Sequence, residues 1–184
     1  MATTAFQFLA PDSLEEVVAL LAEYGDRVQL LSGGMSLMPM MNLGLVNPEL
    51  MVSLNKLREP IGIIENDEHI RIGAMVRHND IAKSAVIARD FAALSQAAGE
   101  IGDVQVRNRG TIGGSVALAY PAADFITVLA AYAATITARS VAGERRIPIR
   151  DFVVDIMQTQ LSPNELITAI EIPKGPHLQG SSYV

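Results

Sequence analysis

"RVQLLSGGMSL", Arg27 to Leu37, is an apolar run that stops at two adjacent glycines and a serine. The same kind of break recurs in "RGTIGGSVAL", Arg109 to Leu118. Glycine lets backbone amides approach a ligand closely and takes up conformations that other residues avoid. Successive free N–H groups, or a helix N-terminus, form a nest for a phosphate oxygen. One such break alone reads as a tight turn where backbones cross. Two with the same chemistry admit a second reading, in which separate segments close on one polyanionic ligand. Ser36, Thr111 and Ser115 would then add hydroxyl donors.

The flanks of the first break predict its setting. "FQFLAP" reads as a strand, and Asp12 and Ser13 start a helix in which Ser13 and Glu16 have capping-box spacing. Leu14, Val17, Val18, Leu20 and Leu21 give that helix an apolar face, and Gly25 ends it. "RVQLL" is a second strand, and "ELMVSL", Glu49 to Leu54, a third. Strand–helix–strand in this order predicts a small parallel unit with the first glycine loop at a strand's carboxyl end. Ligands of α/β proteins sit there.

The rest of the chain reads differently. "PIGIIENDEHIRIGAMV", Pro60 to Val76, alternates and turns at Asn66-Asp67, as a hairpin does. Helical stretches follow at His78 to Ile87 and Asp90 to Ile101, then the second glycine segment and a helix from about Ala122. "ATITARS", a turn at Gly143, "RRIPI" and "ELITAIEIP", Glu165 to Pro173, complete an α+β lobe. A boundary is expected between Leu54 and Pro60, dividing the chain into residues 1–56 and 57–176.

Composition narrows the function. With 49% apolar and 18% charged residues in 184, the chain is globular. A formal charge of −6 argues against a nucleic-acid surface. Without cysteine, disulfides, thiolate nucleophiles and cysteine-ligated clusters are excluded from this chain. No signal peptide is read, and Pro121 and Asp124 interrupt the one long apolar stretch, Val116 to Ala138. It is read as a buried helix running into a buried strand. No membrane span and a cytoplasmic location are expected.

Neither glycine segment matches G-x-G-x-x-G or the Walker pattern, so an ordinary dinucleotide fold or an ATPase is not indicated. His69, His78 and His177 lack metal-ligand spacing and read as surface or hairpin positions. No Ser-His-Asp set assembles. Asp124 reads either as an acceptor for a polar ligand group or as a helix-start carboxylate. Arg107 and Arg109 read as a solvated charged loop, with phosphate pairing as the alternative. Met35, Met38, Met40 and Met41 suit an irregular core or a flat ring. The sequence thus offers binding chemistry and little acid–base chemistry, the profile of a redox-cofactor carrier.

"LLSGGMSLMPMMNLGLVNPELMVSLNKL" and "GDVQVRNRGTIGGSVALAYPAADFITVLAAYAATI" resemble the FAD-binding medium subunit of the molybdenum hydroxylases, the carbon monoxide dehydrogenase and xanthine dehydrogenase family. The resemblance runs from Phe6 to about Tyr183. It implies an α+β, two-subdomain FAD domain of the vanillyl-alcohol-oxidase-like (PCMH) type: a small parallel βαβ lobe plus a mixed, largely antiparallel lobe with helices. It also implies an FAD pyrophosphate held between two loops, Leu31, Ser32, Gly33, Gly34, Met35, Ser36 and Leu37 on one side, Thr111, Ile112, Gly113, Gly114 and Ser115 on the other. Asp124 matches the family's cofactor-contacting aspartate, and Leu161 and Tyr183 resemble positions near the isoalloxazine.

The implied role is electron transfer. Electrons pass from 2Fe–2S clusters in a small iron–sulfur subunit, fed by a large molybdopterin subunit, through this FAD to a quinone, NAD or oxygen. The alternative is an assembly module of the same fold that holds little FAD. Several positions depart from the family pattern. Met35 stands where a polar residue is usual, Gly44 where arginine is frequent, and "LAY", Leu118 to Tyr120, replaces His-Ala-Asp. No histidine adjoins either glycine pair, so the FAD is expected to be non-covalent. The lack of cysteine argues against the hydroxybenzoyl-CoA reductase branch. Family members continue past Tyr183-Val184 into a C-terminal domain, so residues 177–184 are expected to be a shortened linker to one.

Overall fold

A computed structural model of the chain describes residues 5–58, 62–175 and 181–183. His177, Pro60 at the head of the expected hairpin, and all of the expected linker except 181–183 lie outside the described residues. In the first lobe, β1 (Gln7–Leu9) leads to α1 (Leu14–Tyr24), β2 (Val28–Leu31), α2 (Leu37–Asn42) and β3 (Leu50–Ser53). The three strands form a parallel sheet in the order β1-β3-β2. β3 is central and buried at every position, which is why "LMVS" reads as an unbroken run rather than an alternation.

α1 begins where expected: the Ser13 hydroxyl oxygen accepts from the Glu16 amide at 3.2 Å. It ends at Gly25, whose φ of 54 suits glycine. Leu14, Val17, Val18 and Leu21 pack on Val28, Leu50 and Val52 of the sheet, and Met75 and Leu166 join this core from the second lobe.

The second lobe starts with the hairpin β4 (Ile63–Glu65) and β5 (His69–Gly73). Its turn is held by Asn66 Oδ1, which accepts from the amides of Glu68 at 2.9 Å and His69 at 2.7 Å. Then come α3 (His78–Lys83), α4 (Ala85–Asp90), α5 (Ala92–Glu100), α6 (Val104–Arg109), α7 (Ile112–Leu118) and α8 (Asp124–Ala131). The chain closes with β6 (Thr135–Ser140), β7 (Gly143–Pro148), α9 (Ile149–Phe152), β8 (Val153–Asp155), β9 (Gln158–Thr159) and β10 (Leu166–Pro173). Strands β4-β5-β10-β6-β7 make an antiparallel sheet, with β10 between β5 and β6. Ile70, Ile72, Ile136 and Ile170 pack with Phe91, Leu94, Phe125 and Leu129 of the helices in one continuous core.

The expected parallel lobe and mixed lobe are both present, and four local readings need correction. His78 to Ile87 is two helices. Ser84 separates them with ψ 117 while its hydroxyl caps α4 by accepting from the Ile87 amide. Arg107 and Arg109 belong to helix α6 and not to a charged loop. The stretch from Val116 is not one helix before its strand. α7 stops at Ala119, which is left-handed at φ 47, and α8 restarts at Asp124. Gly113 and Gly114, finally, lie inside the first turn of α7 rather than in a loop ahead of it. No helix among the described residues is long and apolar enough to cross a membrane.

Candidate functional site

The two glycine segments come from different lobes and touch. The first is the connection from β2 to α2, at the carboxyl edge of the parallel sheet, where Gly34 takes φ 75. The second is the start of α7. Gly33 lies against the backbone of Arg109 and Gly110. A Cβ at residue 33 would run into the Arg109 carbonyl oxygen and come within 2.8 Å of Gly110 Cα. A Cβ on Gly114 would lie 2.8 Å from Ser32 Oγ, and one on Gly113 would lie 2.6 Å from Ala74 Cβ. These contacts are far shorter than van der Waals distance, so the glycines are required by the approach of chain to chain.

The two segments differ in what they leave free. In α7, the Ile112 amide donates to the Val76 carbonyl at 3.0 Å, Gly113 to Ala74 at 2.9 Å, and Ser115 to Thr111 at 3.0 Å. The Gly114 amide donates to Thr111 Oγ1 at 3.1 Å. All four amides at this helix start therefore have protein partners. In the first segment, the amides of Gly33, Gly34, Met35, Ser36 and Leu37 donate to no acceptor among the described residues. Among the described residues, it is therefore this loop and not the start of α7 that keeps successive backbone donors without a protein partner, the arrangement an anion nest requires. The hydroxyls divide similarly. Thr111 donates to Ser32 Oγ at 3.1 Å, so its proton is engaged and the Ser32 proton is left to point elsewhere. The expectation that Thr111 supplies a free donor is thus corrected, and Ser32 takes that place.

Both segments border a cleft of about 920 Å³ between the lobes. Of the residues expected at a site, Ser32, Gly33, Gly34, Met35, Ser36, Leu37, Thr111, Gly113, Gly114, Ser115, Asp124 and Leu161 line it. Leu31 lies in β2 and Ile112 is wholly buried in the core, and neither lines the cleft. Tyr183 is not a lining residue either, but its hydroxyl donates to Asp124 Oδ1 and its amide donates to Gln96 Oε1 at 2.8 Å. The neighbouring carboxylate and partial desolvation raise the Tyr183 pKa above its ordinary value, the Asp124 hydrogen bond being the largest cause. Asp124 heads α8, as the helix-start reading has it, and lines the cleft.

His78 was expected at the surface and is instead 5% exposed, on the cleft wall. Its ring stacks obliquely on Phe125, with centroids 5.0 Å apart, and Gly110 packs on its edge. Burial, assisted by the Arg77 charge, pushes its pKa down to about 4, so the imidazole is neutral at neutral pH. The exposed Tyr120, singled out in the sequence within "LAY", lines the cleft, and one lining residue escaped the sequence reading, the exposed Met157, left-handed at φ 54 and bonded from its amide to the Ala119 carbonyl at 3.2 Å. With Leu118 and Leu161 they give this part of the wall an apolar surface. Among the described residues no His, Asp or Glu cluster suits a metal ion.

Residues 4–175 match the family model of the FAD binding domain in molybdopterin dehydrogenase. The chain is 38% identical over 183 residues to the alpha subunit of the 6-hydroxypseudooxynicotine dehydrogenase complex of Paenarthrobacter nicotinovorans, covering 100% of this chain and 62% of that one. It is 37% identical over 178 residues to the carbon monoxide dehydrogenase medium chain of Hydrogenophaga pseudoflava, covering 97% of this chain and 62% of that one. A solved structure of carbon monoxide dehydrogenase from H. pseudoflava, in a form lacking the Mo-pyranopterin moiety of its cofactor, superposes with a TM-score of 0.92 at 37% identity. That match covers 95% of this chain and 61% of that one. The chain thus spans less than two thirds of the relatives it matches.

Proposed function

Because the chain belongs to the family of FAD-binding domains of molybdopterin dehydrogenases, we propose that it holds one FAD non-covalently, with the pyrophosphate on the first glycine loop and the second segment as the opposing wall. The observation that carries this reading is the run of five residues from Gly33 to Leu37 that line the cleft between lobes and whose amides have no acceptor among the described residues. Their backbone donors, with the Ser32, Ser36 and Ser115 hydroxyls, fit a diphosphate without any lysine or metal. The cleft volume suits a cofactor of this size. The residues present therefore fit FAD.

Each residue has a role in this reading. Gly33 and Gly114 let the lobes close to within reach of the same ligand, Gly113 lets α7 pack on Ala74 within the second lobe, and Thr111 fixes the Ser32 hydroxyl. The apolar wall of Leu118, Tyr120, Met157 and Leu161 seats the ring and excludes water. Asp124, oriented by Tyr183, accepts a hydrogen bond from a polar group of the cofactor. When bound, the flavin supplies reversible electron chemistry, which explains why the cleft needs no acid or base of its own. The neutral His78 adds no charge to it.

In a cytoplasmic complex, the chain would take electrons from a small iron–sulfur subunit served by a large molybdopterin subunit. It would deliver them to an external acceptor: a quinone, NAD or oxygen. The direct test of the binding reading is titration of flavin fluorescence with FAD and with FMN, which lacks the pyrophosphate and adenosine. FAD is expected to bind at least about a hundredfold tighter, the equivalent of two charge-assisted hydrogen bonds. Equal affinities would refute the pyrophosphate site, and absence of both would favour a cofactor-poor assembly module.

A further inference from the structure

We propose that Arg77 and Asn55 form a positioning bridge that sets the spacing of the two glycine segments from behind the cleft; this rests on the FAD reading above. Neither residue lines the cleft. Both border a separate pocket of about 440 Å³ on the far side of Leu54 and Met75, two residues that belong to the walls of both spaces. The bridge begins at the end of β3. Asn55 Nδ2 donates to the Ser32 carbonyl at 3.0 Å, and Ser32 opens the first glycine loop. The amide oxygen of Asn55 accepts from Arg77 Nη2 at 3.0 Å. The other arm of the guanidinium, Nη1, donates to the Arg109 carbonyl, the oxygen that a Cβ at Gly33 would strike.

Arg77 is itself tied to the second segment through its backbone, which bridges antiparallel to Thr111. One planar fork therefore spans from the first loop, through Asn55, to the residues just ahead of α7. Among the described residues, the only side-chain hydrogen bond that joins the loops directly is Thr111 to Ser32. Among the described residues, the hydrogen-bond acceptors of Arg77 are neutral oxygens, and Asp80 acts on it through its charge without a hydrogen bond. An ammonium on a flexible stem cannot hold two acceptors lying in different directions as a planar guanidinium does, which separates a bridging role from that of a charge alone.

The experiment measures FAD affinity of the purified chain by fluorescence titration, alongside its melting temperature without FAD, for Arg77→Met, Asn55→Ala, their double variant, Arg77→Lys and Asn55→Asp. Each single truncation is expected to weaken FAD about tenfold, and the double variant no more than about the worse single one, because both break the same link. Arg77→Lys should not restore the affinity. Asn55→Asp should keep the melting temperature through a stronger pair with Arg77, yet weaken FAD because a carboxylate then faces the Ser32 carbonyl. FAD affinity within about twofold of the parent in either folded truncation, additive losses in the double variant, or full rescue by lysine would each overturn the bridge. Should Arg77→Met fail to fold, Asn55→Ala alone decides, since that side chain is exposed. A parent chain that takes up no FAD overturns the cofactor reading and the bridge with it. A parent that binds while the variants bind equally overturns only the bridge.

Discussion

At Gly33 a single hydrogen atom separates two backbones: the side-chain position is filled by the Arg109 carbonyl and Gly110. Any larger residue must push the lobes apart at the point where the proposed pyrophosphate sits. The glycine doublets announced this in the sequence, because their only common property is the absence of a Cβ. What the doublets did not announce is the asymmetry between them, since the pairing of the α7 amides with Val76 and Ala74 depends on a strand end far away in sequence. His78 was hidden for a related reason. "VRHND" reads as polar, and only packing on Phe125 and Gly110 buries the ring. Its depressed pKa has a consequence for stability. The unfolded state binds a proton near pH 6.5 and the folded state only near pH 4, so the contribution is complete above pH 6.5 and is lost as pH falls toward 4. The span corresponds to about 3 kcal/mol. Urea denaturation at pH 7, 5.5 and 4 should show this loss in the parent and a flatter profile in His78→Leu. Glu65, Asp90 and Glu165, whose pKa values are lowered by hydrogen bonds to basic partners, destabilise both proteins alike at the acid end.

Among the elements, the legible ones carried their own caps or a clean period. α1 announced itself by Ser13 and Gly25, and the β4–β5 hairpin by its Asn-Asp turn. α6 carried an equally good signal, Asp103 accepting from the Val106 amide at 2.8 Å and Gly110 closing the helix, but its polar middle hid it. α2 follows directly on the nest, in a methionine-rich run without a polar face, so periodicity gave no sign of it. α8 ends in a Schellman arrangement. The Ala134 amide donates to the Leu129 carbonyl at 2.9 Å, across Ala133 at φ 51. A left-handed alanine costs about 1–2 kcal/mol, partly offset by the looser unfolded chain of glycine. Ala133→Gly is therefore expected to stabilise the protein by up to about 1 kcal/mol, read as a rise in melting temperature with FAD affinity unchanged. A fall in melting temperature would show that the turn tolerates alanine without strain.

At the scale of the whole molecule, two sheets of different kind meet along one cleft, joined by the glycine contacts, by the Asn55–Arg77 hydrogen bonds and by shared core packing. An exposed pair, Arg139 with Glu15 at 3.0 Å, joins β6 to α1, and such pairs contribute little. Met75 and Leu166 of the second lobe enter the first lobe's core. We propose that the division falls near residue 56, between β3 and the hairpin, so that ligand binding at the seam adds to the stability of both halves. The class of each lobe was legible because parallel and antiparallel strands leave different patterns in sequence. Their mutual placement was not, because it rests on glycine contacts and on Arg77. The measurement that tests the central claim most directly is the visible spectrum of the chain after incubation with FAD and desalting, set beside a Gly33→Val variant of unchanged circular dichroism. A flavin band retained by the parent and lost in the variant is the predicted result. A band retained equally by both would contradict the account, since FAD would then be held without the contact between the two glycine segments.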